Sequence, residues 1–438
     1  MGPYALIPEE SLWGLIPMVV YLIWAFKPNT RALTSAFLAC LAGFFLTGQT
    51  PAMFGELMSK SLASTLGVIG LIIMLGAGLG ELMTETHVSH VLVRWIIDKI
   101  GVNTEKKAIL ATIVVTVVVC GLLGTLAGGC ALIAPILIPV VAAAGLKPSS
   151  VGAIFQSAGE TGIIWGPFTG PTVTLLALTG LSYGRMMLWA ALPFGIIWLI
   201  VIYFVAIHIQ KNPKYDDQYD LTEDKVVEIT SKDKIATVAF LVTFAALVVY
   251  SMVTKQGTAY TIFVMIVLSL VLTIFSTRDL NVTFKVLGKG MATMAGTFLL
   301  FLLLNVMMTY VNYGGGFTAL GNLFMGLVGE GSKAMLMIVG TIVGAFGVNG
   351  AAVAQMQVTH ELFLPAVTSM ELPMELWAIV LIAASRVTSS IYPGTNMLSP
   401  MGLARSKSLK AMLLGGWCVS MVAIVYIFTW AFVGQMVF

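Results

Sequence analysis

The chain has 438 residues, of which 58% are apolar and only 10% are charged, and its mean hydropathy is +0.96. A soluble domain carries about 25% charged residues, so this chain has too few charges to cover a water-facing surface. The formal net charge of +3 says little by itself, and without a basic domain or a basic tract outside short loops nothing indicates a nucleic-acid-binding protein. The composition predicts an all-α polytopic membrane protein with the lipid bilayer as its main solvent.

Apolar runs of bilayer-spanning length follow one another through the first half of the chain. The predicted elements are, in order, spans at 11–26, 32–48 and 64–83, an interfacial helix at Val88–Ile100, a glycine-interrupted run at 106–145, a run broken by glycine and proline at 150–181, and a span at 186–208. Val88–Ile100 is assigned to the interface because charged residues are interspersed among its apolar ones.

A strongly polar segment at 210–234 separates the two halves and predicts a solvated cytoplasmic linker. The same order of elements then returns: spans at 235–253, 258–276 and 290–311, an interfacial stretch at 317–330, a glycine-interrupted run at 335–370, a broken run at 376–402, and a span at 411–434. The repetition divides the chain into an N-terminal unit at 1–209 and a C-terminal unit at 235–438.

The two units align without gaps over residues 124–169 and 350–395, so that Pro167 meets Pro393. Each unit has five crossings if its glycine-interrupted run enters and leaves the membrane on one side as a re-entrant hairpin. Because five is odd, the units then have opposite orientations. We therefore predict two inverted five-span repeats, each with a re-entrant hairpin and an unwound transmembrane helix.

The distribution of positive charge supports this topology. With the N- and C-termini outside, the outer loops hold only Lys60, Arg185, Lys255 and Lys333, whereas every other Lys and Arg except Arg386 falls in a cytoplasmic loop. Loops rich in Lys and Arg stay on the cytoplasmic side. We expect a protein of the bacterial inner membrane with both termini outside.

Four helix interruptions predict the functional site. Non-helical backbone at membrane depth is tolerated where it lines a cavity, and inverted-repeat transporters bind substrates and ions at such interruptions. Here they are the hairpin tips at 124–129 and 347–352 and the breaks at 159–171 and 388–396. Two glycines of the first tip also fit the GxxxG spacing of close helix packing. Asn349, flanked by glycine in the second tip, favours a binding role.

The repeat alignment places Glu160 opposite Arg386, and a charge inside the membrane is a candidate functional group. Three interpretations are open. The two residues form a structural ion pair between the halves. Alternatively, Arg386 binds a substrate carboxylate through its planar fork while Glu160 serves a proton, a sodium ion or a substrate ammonium group. In the third, Glu160 alone is the ion site of an antiporter.

Polar residues around the same interruptions complete the predicted site. Those assigned to substrate, beside Arg386 and Glu160, are Asn349, Thr125, Thr388 and Asn396. Those assigned to a coupling cation are Thr161, Gly162, Thr169, Ser389, Ser390 and Thr395. In membrane helices Ser and Thr also hydrogen-bond to their own helix, which is the alternative for each hydroxyl. His360 and Glu361 do not complete the HExxH zinc motif, because the residue four after His360 is Leu364.

These tips and breaks, in this order, resemble the ion transporter superfamily. It includes sodium/dicarboxylate symporters, malate–lactate type sodium/proton antiporters, gluconate permeases and the large permease of tripartite transporters. The resemblance covers residues 11–434 as architecture and implies that the four interruptions form the substrate and cation sites. The Ser-Asn-Thr tips of the sodium/dicarboxylate symporters are absent, and so is the Asp-rich segment of the sodium/proton antiporters. The member family therefore stays open.

We expect a secondary carrier for a small carboxylate or amino acid, coupled to sodium or protons, in which Arg386 holds the carboxylate. The alternative is a sodium/proton antiporter without an organic substrate. An intramembrane enzyme is not expected, because no zinc motif and no paired aspartates lie within the spans. No cofactor or resident metal is expected beyond the coupling ion. The resemblance also implies a homodimer with elevator-type movement.

Overall fold

The computed structural model describes the chain except residues 1, 9–10, 26–31, 216–217, 220–228, 320–321, 323–331, 348–351 and 392. Its described residues form helices joined by turns, without any strand. Nine helical segments within this described part are long and apolar enough to cross a membrane. The predicted all-α polytopic fold is confirmed.

The helices of the first half follow the predicted order. They are α1 (Ile16–Ala25), α2 (Ala32–Leu46), α3 (Pro51–Leu62), α4 (Thr65–Glu85), α5 (Val88–Ile100), α6 (Glu105–Leu123), α7 (Leu126–Ala143), α8 (Pro148–Trp165), α9 (Gly170–Thr179), α10 (Tyr183–Met186) and α11 (Leu192–Lys211). Hydroxyl side chains accept hydrogen bonds from the first-turn amides of many of these helices, as Thr104 does for α6 and Thr125 for α7. Gly124 ends α6 with φ +67°, a conformation that favours glycine, and so allows the tight turn between α6 and α7.

The second half contains α12 (Ser231–Thr254), α13 (Tyr260–Leu272), α14 (Leu280–Thr293), α15 (Ala295–Tyr313), α16 (Lys333–Ile342), α17 (Ala352–Ser369), α18 (Met374–Ile391), α19 (Thr395–Leu403) and α20 (Leu409–Val437). A π-helical turn at Val343–Gly347 continues α16. Much of the predicted linker and of the interfacial stretch at 317–330 lies outside the described residues. The prediction missed α3 and α14, because both are shorter than a bilayer span and carry polar residues.

Both predicted breaks begin too early. The first was expected from residue 159, yet α8 is continuous to Trp165 and the interruption covers only 166–169. The second was expected from residue 388, yet α18 is continuous to Ile391. Glycine in α8 reduces helix propensity, but here it serves packing, since a Cβ atom on Gly162 would lie 2.4 Å from the Val117 carbonyl oxygen of α6.

The halves interlock around the two broken helices. The short helix after the first break, α9, packs against α17 and α18 of the second half, and α19 after the second break packs against α7 and α8 of the first. Every residue of α8 from Pro148 to Ile164 is buried, and α18 is buried over most of its length. By contrast, α12 presents most of its apolar side chains outward, as a lipid-facing helix does. The core thus surrounds α8 and α18.

Candidate functional site

The structure brings Glu160 of α8 next to Arg386 of α18. The Arg386 Nη1 and Glu160 Oε2 atoms are 3.9 Å apart, and the two side chains are 1% and 0% exposed. This distance is too long for a hydrogen bond. The two charges therefore attract each other across the interface between the halves without being bonded directly.

The pair retains unused hydrogen-bonding capacity. Among the described residues, neither Nη1 nor Nη2 of Arg386 has a hydrogen-bond partner, and neither has Oε1 of Glu160. The other carboxylate oxygen, Oε2, accepts a weak bond from Ser390 Oγ at 3.5 Å, and Arg386 Nε donates to Ser385 Oγ at 3.4 Å. Buried ionised groups that lack partners are costly. The arrangement is therefore suited to a ligand that offers acceptors to Arg386 and a donor to Glu160.

A second contact fixes how α8 and α18 face each other. Gln156 lies one helical turn before Glu160, and its Nε2 donates to the Ser389 carbonyl oxygen at 3.1 Å. Ser389 itself donates through Oγ to the Arg386 carbonyl oxygen at 2.9 Å, within its own helix. The amide of Gln156 therefore holds the two helices in the register that places Glu160 against Arg386. Gln156 was not among the site residues predicted from the sequence.

Thr388 connects the second hairpin with α18. Its hydroxyl lies 2.7 Å from the Ala345 carbonyl oxygen in the π-helical turn and 3.0 Å from the Ala384 carbonyl oxygen. Gln355, near the start of α17, donates through Nε2 to the Thr388 hydroxyl and to the Gly344 carbonyl oxygen. Thr388 thus joins both arms of this hairpin to the helix that carries Arg386. Gln355 was not predicted as a site residue, and its polar side chain inside an apolar arm is the signal that could have identified it.

At the first break, hydroxyls satisfy the carbonyl groups that the interruption leaves without helical partners. Thr169 Oγ1 donates to the carbonyl oxygens of Ile163 and Gly166, and Thr172 Oγ1 lies 3.0 Å from that of Ile164. Thr161 donates to the Ser157 carbonyl oxygen at 3.0 Å, one turn back in α8. In this structure the hydroxyls of Thr161 and Thr169 therefore bond to their own segment.

The other predicted residues are placed as follows. Thr125 caps α7 at the tip of the first hairpin. This tip touches the first break, because a Cβ atom on Gly124 would lie 3.6 Å from Thr169 Cα. Thr395 and Asn396 open α19, exposed and half-buried respectively. Asn349 and most of the second tip lie outside the described residues.

His360 of α17 has a packing contact. Its Nδ1 accepts a hydrogen bond from the indole Nε1 of Trp377 in α18 at 3.0 Å. Because an accepting nitrogen carries no proton, this contact favours the tautomer that is protonated at Nε2. The bond ties the return arm of the second hairpin to the helix that carries Arg386.

A helical bundle with this many apolar spans, two helical hairpins, two interrupted helices and a charge pair buried between its halves defines an integral membrane transporter. Solved structures of two transporters are among those that share its fold. The YdaH transporter of Alcanivorax borkumensis is 14% identical and superposes with a TM-score of 0.62 over 98% of this chain and 99% of its own. MtrF of Neisseria gonorrhoeae, described with a class of antimetabolite efflux pumps, is 15% identical, with a TM-score of 0.60 over 99% of this chain and 96% of its own.

The family model CitMHS, described as citrate transporter, matches residues 21–269, more than half of the chain. The chain belongs to this family of transporters. The predicted resemblance to the ion transporter superfamily is confirmed, and so is the prediction of a transporter rather than an enzyme. No curated protein sequence matches the chain.

Proposed function

We propose that the chain is a secondary carrier for citrate or a closely related carboxylate, and that Arg386 binds a carboxylate group of the substrate. The observation that carries the proposal is the buried guanidinium whose two terminal nitrogens have no hydrogen-bond partner among the described residues. An arginine fork matches a carboxylate with two parallel hydrogen bonds. The family name favours citrate over an amino acid as the substrate.

The geometry favours this role over a purely structural ion pair. A structural pair at full burial offsets its desolvation cost only through close, hydrogen-bonded geometry. Instead, Arg386 Nη1 and Glu160 Oε2 lie 3.9 Å apart, and three polar atoms of the pair have no hydrogen-bond partner among the described residues. An antiporter that needs Glu160 alone would leave the donors of Arg386 unexplained.

We further propose that the two units are inverted, with both termini outside, and that the protein acts as a homodimer in the bacterial inner membrane. The reciprocal packing of α9 and α19 on the opposite halves supports the inverted arrangement. The coupling ion is sodium or a proton. The substrate reaches Arg386 only when the surrounding helices separate, because the pair is shielded from solvent on all sides.

The test uses purified protein in proteoliposomes. Uptake of radiolabelled citrate is measured for the wild type, Arg386→Gln and Arg386→Lys. We expect Arg386→Gln to lower uptake at limiting citrate by at least about 100-fold, since truncating one side of a buried charge contact costs several kcal/mol. Lysine keeps the charge but not the fork, so Arg386→Lys should retain part of the activity. Arg185→Gln is the matched control, because that arginine is 62% exposed and pairs with Glu375.

Normal uptake by a folded Arg386→Gln variant would refute the proposed role of Arg386. Charge movement on a solid-supported membrane then separates the two functions. A citrate jump that produces current identifies an electrogenic carrier, and replacing sodium with potassium or changing the pH identifies the coupling ion. If sodium or pH jumps alone produce current and no carboxylate is taken up, the protein is an antiporter without an organic substrate.

A further inference from the structure

We infer that Glu160 accepts a hydrogen bond from a hydroxyl group of the substrate, so that the site selects carboxylates with a hydroxyl on the carbon that bears the carboxylate. The inference rests on the proposed function, because Arg386 must hold the adjacent carboxylate. It assigns to Glu160 the discrimination between 2-hydroxy acids and carboxylates of the same shape that lack the hydroxyl.

The first support is the complementary bonding capacity of the two side chains. Arg386 offers donors at Nη1 and Nη2, and Glu160 offers an acceptor at Oε1; among the described residues none of these atoms has a partner. A 2-hydroxy acid presents the matching set, since its carboxylate accepts while the hydroxyl on the same carbon donates. The 3.9 Å separation of Arg386 Nη1 and Glu160 Oε2 keeps the donor and acceptor groups side by side.

The second support is the effect that an ionised Glu160 would have on a neighbouring substrate carboxylate. A second carboxylate beside a bound carboxylate raises the energy of the complex unless a donor lies between them. A substrate hydroxyl provides that donor in a charge-assisted bond. A substrate without the hydroxyl leaves Glu160 Oε1 buried and unpaired, because that atom is inaccessible to water. Sites built to bond a substrate hydroxyl reject analogues that lack it for this reason.

The third support is the rigidity of the pair. Glu160 lies inside the continuous helix α8, which is buried from Pro148 to Ile164, and Gln156 of the same helix bonds to the Ser389 carbonyl oxygen of α18. Ser390 supplies a further donor to Glu160 Oε2, which leaves Oε1 as the oxygen available to a ligand. The acceptor is therefore fixed by regular helices, which orient a specificity-determining group more accurately than a loop does.

The test compares ligands that differ in one group, as inhibitors of radiolabelled citrate uptake in proteoliposomes. Citrate is compared with tricarballylate, which is the same tricarboxylate without the hydroxyl. Malate, succinate and aspartate form a second series on one four-carbon skeleton, with a hydroxyl, a hydrogen and an ammonium group at the same carbon. We expect citrate to inhibit about 10- to 100-fold more strongly than tricarballylate, the range of a hydrogen bond to a charged group.

Glu160→Ala should lower the citrate-to-tricarballylate ratio to about one, and Glu160→Gln, which keeps an uncharged acceptor, should give an intermediate ratio. Glu375→Gln is the control, since this acid is also buried but pairs with Arg185 at another place, and its ratio should equal that of the wild type. If Glu160→Ala does not fold, Glu160→Gln decides the question, and a ratio in that variant equal to the wild-type ratio would overturn the role of Glu160.

A wild-type ratio near one, or a high ratio that survives in Glu160→Ala, would overturn the role of Glu160 while citrate transport stands. Preference for aspartate over malate would overturn it in favour of an ammonium-binding role for the same carboxylate. Failure of the wild type to take up any of these carboxylates would instead refute the proposed function itself.

Discussion

Removing one charge of the Glu160–Arg386 pair should destabilise the protein more than removing both. At 3.9 Å, two unit charges attract by about 4 kcal/mol at an effective dielectric constant of about 20. Glu160→Gln leaves the Arg386 charge buried without compensation, and Arg386→Gln leaves that of Glu160. Each single variant should lose about 3 kcal/mol of stability, the lower end of the cost expected when one partner of a buried pair is removed.

The double variant, with glutamine at both positions, leaves no buried charge. We therefore expect a coupling free energy of about 4 kcal/mol in the double-mutant cycle, so that the double variant loses about 2 kcal/mol and is more stable than either single variant. The assay is denaturant- or temperature-induced unfolding of the detergent-purified protein, followed by intrinsic fluorescence. The cycle on Glu56 and Lys60 of α3 is the control, because exposed pairs couple by only about 0.2–1 kcal/mol and these side chains are 65% and 71% exposed.

Additivity of the two single variants to within about 0.5 kcal/mol would show that the charges do not interact. It would remove the electrostatic basis for placing a substrate between them. Strong coupling together with normal citrate uptake by the double variant would instead favour a structural pair. The cycle and the transport assay therefore distinguish a structural ion pair from a substrate-binding pair, two of the three interpretations that the sequence left open.

Two further variants test the packing around the site. In the same thermal unfolding assay, Gly162→Ala should lower the free energy of unfolding by about 1–3 kcal/mol, because the added Cβ atom would collide with the backbone of α6. Gly288 is a helical glycine with open space around it, so Gly288→Ala should raise the free energy of unfolding by up to about 1 kcal/mol. Equal shifts for the two alanine variants would contradict this reasoning. Thr388→Val should speed hydrogen–deuterium exchange of the amides at 343–347, because it removes the hydroxyl that joins the second hairpin to α18. Thr341→Val, whose hydroxyl bonds only within its own helix among the described residues, should leave that exchange unchanged, and equal exchange in both variants would exclude the bridging role.

Much of the helical order follows from the sequence, because apolar length and punctuation by glycine and proline are local signals. Val88–Ile100 has the predicted bounds, since its mixed composition ends at Gly101, a C-cap with φ +66°. The short amphipathic helices α3 and α14 were missed, because only tertiary packing distinguishes them from loops. Gly162 was predicted to be part of a helix break, whereas it allows α6 and α8 to approach closely. Composition alone does not separate these two uses of glycine.

The candidate site was likewise predictable only in part, because some of its contacts depend on tertiary packing. The repeat alignment placed Glu160 opposite Arg386, because corresponding positions in paired repeats meet at their interface. The bond from Gln156 to the Ser389 carbonyl oxygen depends on how far two helices slide along each other, which the pattern does not specify. The hydroxyl of Thr161 was assigned to a cation, yet in this structure it bonds back to its own helix, the competing interaction open to every buried threonine.

The interlocked packing has a mechanical consequence for transport. Separating α8 from α18 would break the Gln156 bond, part the charge pair and pull α9 and α19 away from the opposite halves. Movement of the first hairpin tip, at 124–129, alone has a smaller cost, because the contacts between α8 and α18 are kept. We therefore expect the first tip to separate from the break at 166–169 and admit the substrate while α8 and α18 move together with it. Helix α4 packs against α13, α14 and α15 and also contacts α9. We therefore expect the moving unit that contains α8 and α18 to slide along the surface between α4 and α9.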